Sequence, residues 1–311
     1  MATSGSTDFN LTRNEIIKDA LIILGAVGSE ESVDSSDTAL AARVLNSMVK
    51  AWQGRGVHLW THQEASLFVI KGTESYSLPG SDAANTSVST TLSAAEASGQ
   101  TVLSVTSSTG MTAADIVLIE LTDGTYEDTT IVSVDSALQI TITDALTSAA
   151  ASGNNVYSYT TAMGRPLEIS SIRLHSDSGY DRILNSISRS EYFGLPDKTS
   201  QGQPVSYYYD PQLSTGTLRL WPAPDAIDYS LKLTYSRSIE DFDTSSNTPD
   251  FPPEWLEALT YNLAVRLAPM FGKDQKAIQM IAPMALQMLE EIKMWDNENG
   301  SLSVTPDRRF D

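Results

Sequence analysis

The residues best suited to chemistry are three histidines and a scatter of carboxylates. His58 and His62 have the i, i+4 spacing that can set two imidazoles on one metal, and Glu64 is nearby. They lie in "GVHLWTHQEASLFVI", a loop running into a strand with no fourth ligand in reach. Ordinary packing or surface roles therefore compete with a metal site, and His175 stands alone. The densest acidic group is Glu240, Asp241 and Asp243 in "EDFD". A glycosidase needs two carboxylates held across a sugar cleft, which spacing alone does not reveal. The longer stretch "EDFDTSSNTPDFPP" has the turn residues of a solvated loop leading into a helix. H-E-x-x-H, G-x-S-x-G, Walker and G-x-G-x-x-G patterns are missing, and without cysteine there is no disulfide or thiolate chemistry. No catalytic constellation forms, and neither cofactor nor metal is expected.

Two other groups point to partners. Arg266 follows Asn262 by one turn in "DFPPEWLEALTYNLAVRLAPMFG" (250–272), which is apolar on nearly every side. An arginine there needs a carboxylate from another subunit or domain, unless its stem simply snorkels to water. Arg308 and Arg309 are the only adjacent basic pair in the chain, and Phe310 follows them. They end the polar stretch "GSLSVTPDRRFD" (300–311), which suits either docking in a neighbour's groove or a frayed terminus. Five of the nine methionines fall between Met270 and Met294, as core filler or as an adaptable partner surface.

The elements that must position these residues are legible from periodicity. Thr12 and Glu15 form a capping box ahead of Ile16, Ile17, Ala20, Leu21, Ile23 and Leu24, and Gly25 stops that helix. Leu40, Val44, Leu45, Met48, Val49 and Trp52 repeat at helical spacing until Gly54. "SLFVIKG" and "ESYSLP" follow as strands. Residues 86–160, rich in Ser, Thr, Ala and Val, hold strand candidates at 101–105, 115–121, 129–134, 138–143 and 155–159. Asp123-Gly124 predicts a hairpin with a type I′ turn. "PLEISSIRLHS", "YDRILNSIS", "PVSYYYDP", "GTLRLWPAP" and "YSLKLTYSR" are further strands, and Ser188 with Glu191 caps a short helix. For the 250–272 helix, Asp250 is the expected cap, Pro252 and Pro253 suit the first turn, and Gly272 follows the end. The last helix runs from about Lys276 to Trp295, with Pro283 kinking it or delaying its start.

The expected fold is α+β: a helical bundle from the N- and C-terminal helices, a central antiparallel β domain, and an inserted small β sandwich or barrel. Residues 1–85 and 161–299 form the core, 86–160 the inserted module, and 300–311 an extended tail. As an insertion, the module must have its ends near Asn85 and Thr160 close in space.

At 311 residues and 41% apolar, the chain is long enough to bury a real core. "MATSGSTDFN" has no basic residue and no apolar run, unlike a secretory signal, and no stretch approaches a membrane span. Of the net charge of −19, the stretch Gly72 to Gly164 carries −10, with ten acids and no Lys or Arg. Such a surface repels nucleic acid and anionic membranes at long range. Solubility is one reading of it, and a surface that must pass DNA without gripping it is the other.

Three stretches, "LNSMVKAWQGRGVHLWTHQEASLFVIKG" (45–72), "YYYDPQLSTGTLRLWPAP" (207–224) and "FPPEWLEALTYNLAVRLAPMFG" (251–272), resemble a family of phage head-to-tail adaptors. These are also called packaged-DNA stabilisation or tail accessory proteins of short-tailed phages. With the N-terminal helix, the resemblance spans nearly the whole chain apart from 86–160. It implies a non-enzymatic virion protein, made in the host bacterial cytoplasm and placed at the neck. It also implies a homo-oligomeric ring, expected to be twelvefold, below the portal. Such a ring extends the DNA channel, retains packaged double-stranded DNA without reading its sequence, and offers a platform for the tail hub or nozzle. The helices and the C-terminal tail would face the portal and the β domain the tail. Arg308, Arg309 and Phe310 would dock on the portal and Arg266 would work between subunits. The runner-up function is a virion-associated peptidoglycan hydrolase, an activity suggested for some relatives.

Overall fold

The computed structural model describes residues 5–6, 8–55, 59–176 and 179–295. The chain is an α+β protein with two compact units, Met1–Thr61 with Ile239–Asp311, and His62–Ser238. Its α-helices are α1 (Arg13–Ile23), α2 (Ser35–Gln53), α3 (Arg189–Gly194), α4 (Leu256–Leu267) and α5 (Gln275–Trp295).

In the first unit, α1 starts on the expected capping box. The Glu15 carboxylate accepts the Thr12 N–H at 2.8 Å, and the Thr12 hydroxyl accepts the Glu15 N–H at 3.4 Å. The helix closes on Gly25, whose φ of 66° lets its N–H reach Ile22 O while the Ala26 N–H reaches Leu21 O. Asp34 caps α2 by accepting the Ser36 N–H at 2.8 Å. Asp250 does not cap α4. As N-cap, its N2 and N3 positions would be Pro252 and Pro253, and neither has an N–H to offer. The chain instead enters α4 through a 3-10 turn, Pro253–Trp255, without a side-chain cap. The Asp250 carboxylate accepts the Glu240 N–H at 3.1 Å and its carbonyl accepts Trp60 Nε1–H at 2.9 Å.

α4 buries Leu256, Leu259, Leu263, Ala264 and Leu267 in one core with Ile16, Ile17 and Leu21 of α1 and Leu45, Met48 and Trp52 of α2. Leu289 of α5 joins the same core, with Ile278, Ile281 and Ile292 packed against it. Trp52, Trp60, Phe251 and Trp255 form an aromatic knot with centroids from 5.0 Å (Trp60–Phe251) to 6.3 Å (Trp52–Phe251). The short connection between α4 and α5 makes them an antiparallel hairpin. Asn262 fixes its register by donating to Ala258 O at 2.8 Å and Ala285 O at 2.9 Å. Pro283 does not delay α5, which runs through it.

The described residues of the second unit form three sheets. The first contains β1 (His62–Phe68), β3 (Ala83–Ala84), β10 (Pro166–Ser176), β11 (Asp181–Ile183) and β15 (Tyr229–Arg237), in the order β11-β10-β15-β1-β3. The second contains β2 (Ser75–Leu78), β12 (Asn185–Ser186), β13 (Ser206–Pro211) and β14 (Gly216–Trp221), in the order β12-β13-β14-β2. Among the described strand pairs only β12–β13 is parallel, and an isolated parallel bridge joins Gln201 and Ala223. Leu67, Ile172, Leu231, Leu233 and Tyr235 share a core with Tyr76, Tyr207, Leu218 and Leu220, so these two sheets face each other. β1 starts at His62, earlier than the apolar run "SLFVIKG" predicts. Its pairing with β15, His62↔Ser236 through Phe68↔Ser230, sets its length instead.

The third sheet contains β4 (Val88–Thr91), β5 (Val102–Ser104), β6 (Ile116–Glu120), β7 (Tyr126–Ser136), β8 (Gln139–Ile142) and β9 (Asn155–Tyr159), in the order β4-β9-β6-β7-β8-β5. Leu103, Val117, Ile119, Ile131, Ile140 and Val156 make a core drawn from this sheet alone. The β6–β7 hairpin exists, but its turn is not type I′. Only Gly124 has positive φ, at 86°, with its N–H on Leu121 O and the Leu121 N–H on Thr125 O. That is a type I turn closed by a left-handed glycine, which leaves Asp123 unstrained. Where the segment leaves and rejoins the first sheet, Ala84 bridges Ala162 and the Met163 N–H reaches Ala83 O at 2.9 Å. Phe68 stacks on Tyr157 at 4.1 Å, beside Leu118 and Tyr159.

Candidate functional site

His58 lies outside the described residues. His62 is exposed at the start of β1, and Glu64 is engaged by Arg173, Nη2 to Oε1 at 2.6 Å. Among the described residues no group of three or more His, Asp or Glu gathers as for a metal. His175 pairs with Asp181 at 2.6 Å on the β10–β11 edge.

The acids of "EDFD" do not converge on a cleft. Lys50 Nζ holds Asp241 at 2.9 Å and donates to Ile239 O at 2.6 Å. The Asn46 side chain accepts the Phe242 N–H at 2.9 Å and donates to Phe242 O at 3.3 Å, with the Phe242 ring buried. Arg13 donates to Asp243 O at 3.2 Å. The segment is a strap laid across α1 and α2, and its carboxylates are occupied in holding it or face water.

Arg266 is half-buried, and no ion pair to a carboxylate forms there among the described residues. Burial, and then the Arg55 guanidinium, pull its pKa down. Asn262, its neighbour on α4, is the clasp to α5 and not a partner for it.

α5 corrects the reading of the methionines as core filler. Met280 is 75% exposed, and Met270, Met284, Leu286 and Met294 are also exposed. The cause is periodicity: Ala285, Leu289 and Ile292 take the face toward α4, and Met280 and Met284 fall on the other. Arg308, Arg309 and Phe310 lie outside the described residues.

Two features have no sequence motif. Asp82 and Asp128 line a cavity of about 260 Å³ with Ser77, Gly80 and Tyr126. The Ser81 hydroxyl donates to Asp128, and the Tyr159 hydroxyl donates to Ser81 O. Burial, with Asp128 nearby, pushes Asp82 up to about 6 from its ordinary 3.8. Gly80 is required here, since a Cβ would lie 2.5 Å from Ser77 O and 2.7 Å from an Asp82 oxygen. On the second sheet, Arg189, Arg219 and Lys198 stand 5.6, 5.7 and 6.0 Å from the half-exposed Phe193 ring. They come from α3, β14 and the loop that follows α3, so only the fold assembles them.

The described surface thus offers a basic patch around Phe193 and exposed methionines on α5. No described helix is long and apolar enough to cross a membrane. No curated protein matches the chain. The model of one family, the SU10 adaptor protein, matches residues 129–308, more than half of the sequence. The match includes the aromatic strand pair β13–β14, α4 and α5, and the chain belongs to this SU10 adaptor protein family of phage head-to-tail adaptors.

Proposed function

We propose that the protein forms a ring, expected to have twelve copies, between the portal and the tail hub or nozzle of a short-tailed phage. The family match over 129–308 carries this reading. The helices of the first unit act as a bundle, a rigid wedge whose sides meet the next copy through heterologous contacts. Their shared buried core supports that rigidity. The ring extends the DNA channel and helps retain the packaged duplex. A net charge of −19 supports passage without grip. Arg266, half-buried with no ion pair among the described residues, pairs across the subunit boundary. Residues 300–311 dock on the portal, with Phe310 as anchor and Arg308 and Arg309 paired to portal carboxylates. Residues 86–160 are an inserted module, a division supported by the sheet's own core and the Ala84–Ala162 bridge.

Co-sedimentation with the portal ring of the same phage tests this. The full chain pellets with portal, and Phe310→Ala weakens attachment by about 2 kcal/mol per subunit, multiplied by avidity around the ring. Binding through the arginines falls with salt. A protein that ignores the portal at every salt concentration contradicts the reading.

A further inference from the structure

Between α1 and α4 runs an open groove of about 370 Å³. Phe9, Ile22, Ile23 and Tyr261 make its lining mainly apolar, and Asp19 and Glu257 stand on it as exposed acids. Phe9 is 69% exposed, an unusual place for a phenylalanine in a monomer. An apolar slot edged by two carboxylates fits one apolar side chain next to two cations. The chain contains that combination once, as Arg308-Arg309-Phe310.

The helix directions favour the same occupant. Asn262 of α4 is level with Ala285 of α5, and the two helices are antiparallel. The end of α5 at Trp295 therefore lies beyond the N-terminal end of α4, and the groove is built on that end, at Leu256, Glu257 and Tyr261. The residues after Trp295 number 16, which span up to about 50 Å extended, several times the ~10 Å needed to pass around one helix.

We propose that the α1–α4 groove seats this chain's own residues 308–310 before assembly, with Phe310 in the slot and Arg308 and Arg309 on Asp19 and Glu257. A segment held this way is withheld from other partners until one competes for it. The proposal concerns the free chain and stands or falls apart from docking on the portal.

The absence of cysteine makes proximity directly readable. The variant Tyr261→Cys/Asp311→Cys, kept dilute and oxidised, closes to an internal disulfide at least about tenfold faster than Met280→Cys/Asp311→Cys, because tethering and docking together raise the local concentration. Adding Phe310→Ala brings the rate down to that of the Met280 pair. Should Tyr261→Cys misfold, Ile22→Cys in the same groove replaces it and leaves both acids in place. Equal rates for the two pairs, indifference to Phe310→Ala, or disulfide-linked dimers in place of closed monomers would each overturn the proposal; the last would assign the groove to a second copy.

Discussion

Asp82 carries a pH signature that one substitution can isolate. Its carboxyl is held at about 6 in the folded chain, above its ordinary 3.8, so the folded state binds more protons between those values. The charged form is the disfavoured one. Its cost is present in full above pH ~6 and relieved as pH falls toward 4. Asp82→Asn should therefore stabilise the protein at pH 7 by about 2–3 kcal/mol, roughly two pKa units at 1.36 kcal/mol each, with little difference near pH 4. Urea melts at the two pH values check this, and an equal effect at both would contradict it. Gly216 is a second test. The Tyr209 ring lies where a Cβ on Gly216 would sit, while its hydroxyl donates to Pro166 O at 2.6 Å. Gly216→Ala should cost about 2–4 kcal/mol in thermal melts by displacing that ring and its hydrogen bond. The capping boxes were legible because their partners are three residues apart. The Asn262 clasp was not, because its acceptor is on another helix. The Asp250 cap failed on proline chemistry that the sequence did contain.

Among elements, the third sheet invites the most direct manipulation. Its strands were legible from alternation, but its joins with the first sheet, β3 and β4, are too short to show a period. Replacing 86–160 with a short Gly-Ser linker should preserve the helical circular dichroism and cooperative melting, since Ala84 and Ala162 already pair. The deletion uncovers Phe68, now 3% exposed, so a loss of about 2 kcal/mol is expected. An insoluble or non-cooperative product would mean that the sheet belongs to the main core. The basic patch around Phe193 illustrates the other limit of sequence reading, because register and helix placement bring its cations together from separate elements. Periodicity marked α5 correctly as a helix but could not say that its methionines face outward, because methionine is common on both kinds of surface.

For the whole molecule, high like charge opposes self-association in solution, so the isolated protein is expected to be mainly a monomer by light scattering. A stable ring in the absence of any partner would contradict that. With no ion pair at Arg266 among the described residues, Arg266→Met should leave the monomer's melting temperature unchanged or raised while impairing assembly. A lowered melting temperature with normal assembly would make Arg266 a residue of its own subunit's fold. The proposed function rests on a ring seated between portal and tail. Electron microscopy of the purified protein mixed with the portal of the same phage measures it most directly. An added ring of density is expected on one face of the portal, coaxial with its channel and with one adaptor per portal subunit. Portal particles unchanged at saturating protein, or protein bound off-axis without ring symmetry, would contradict it.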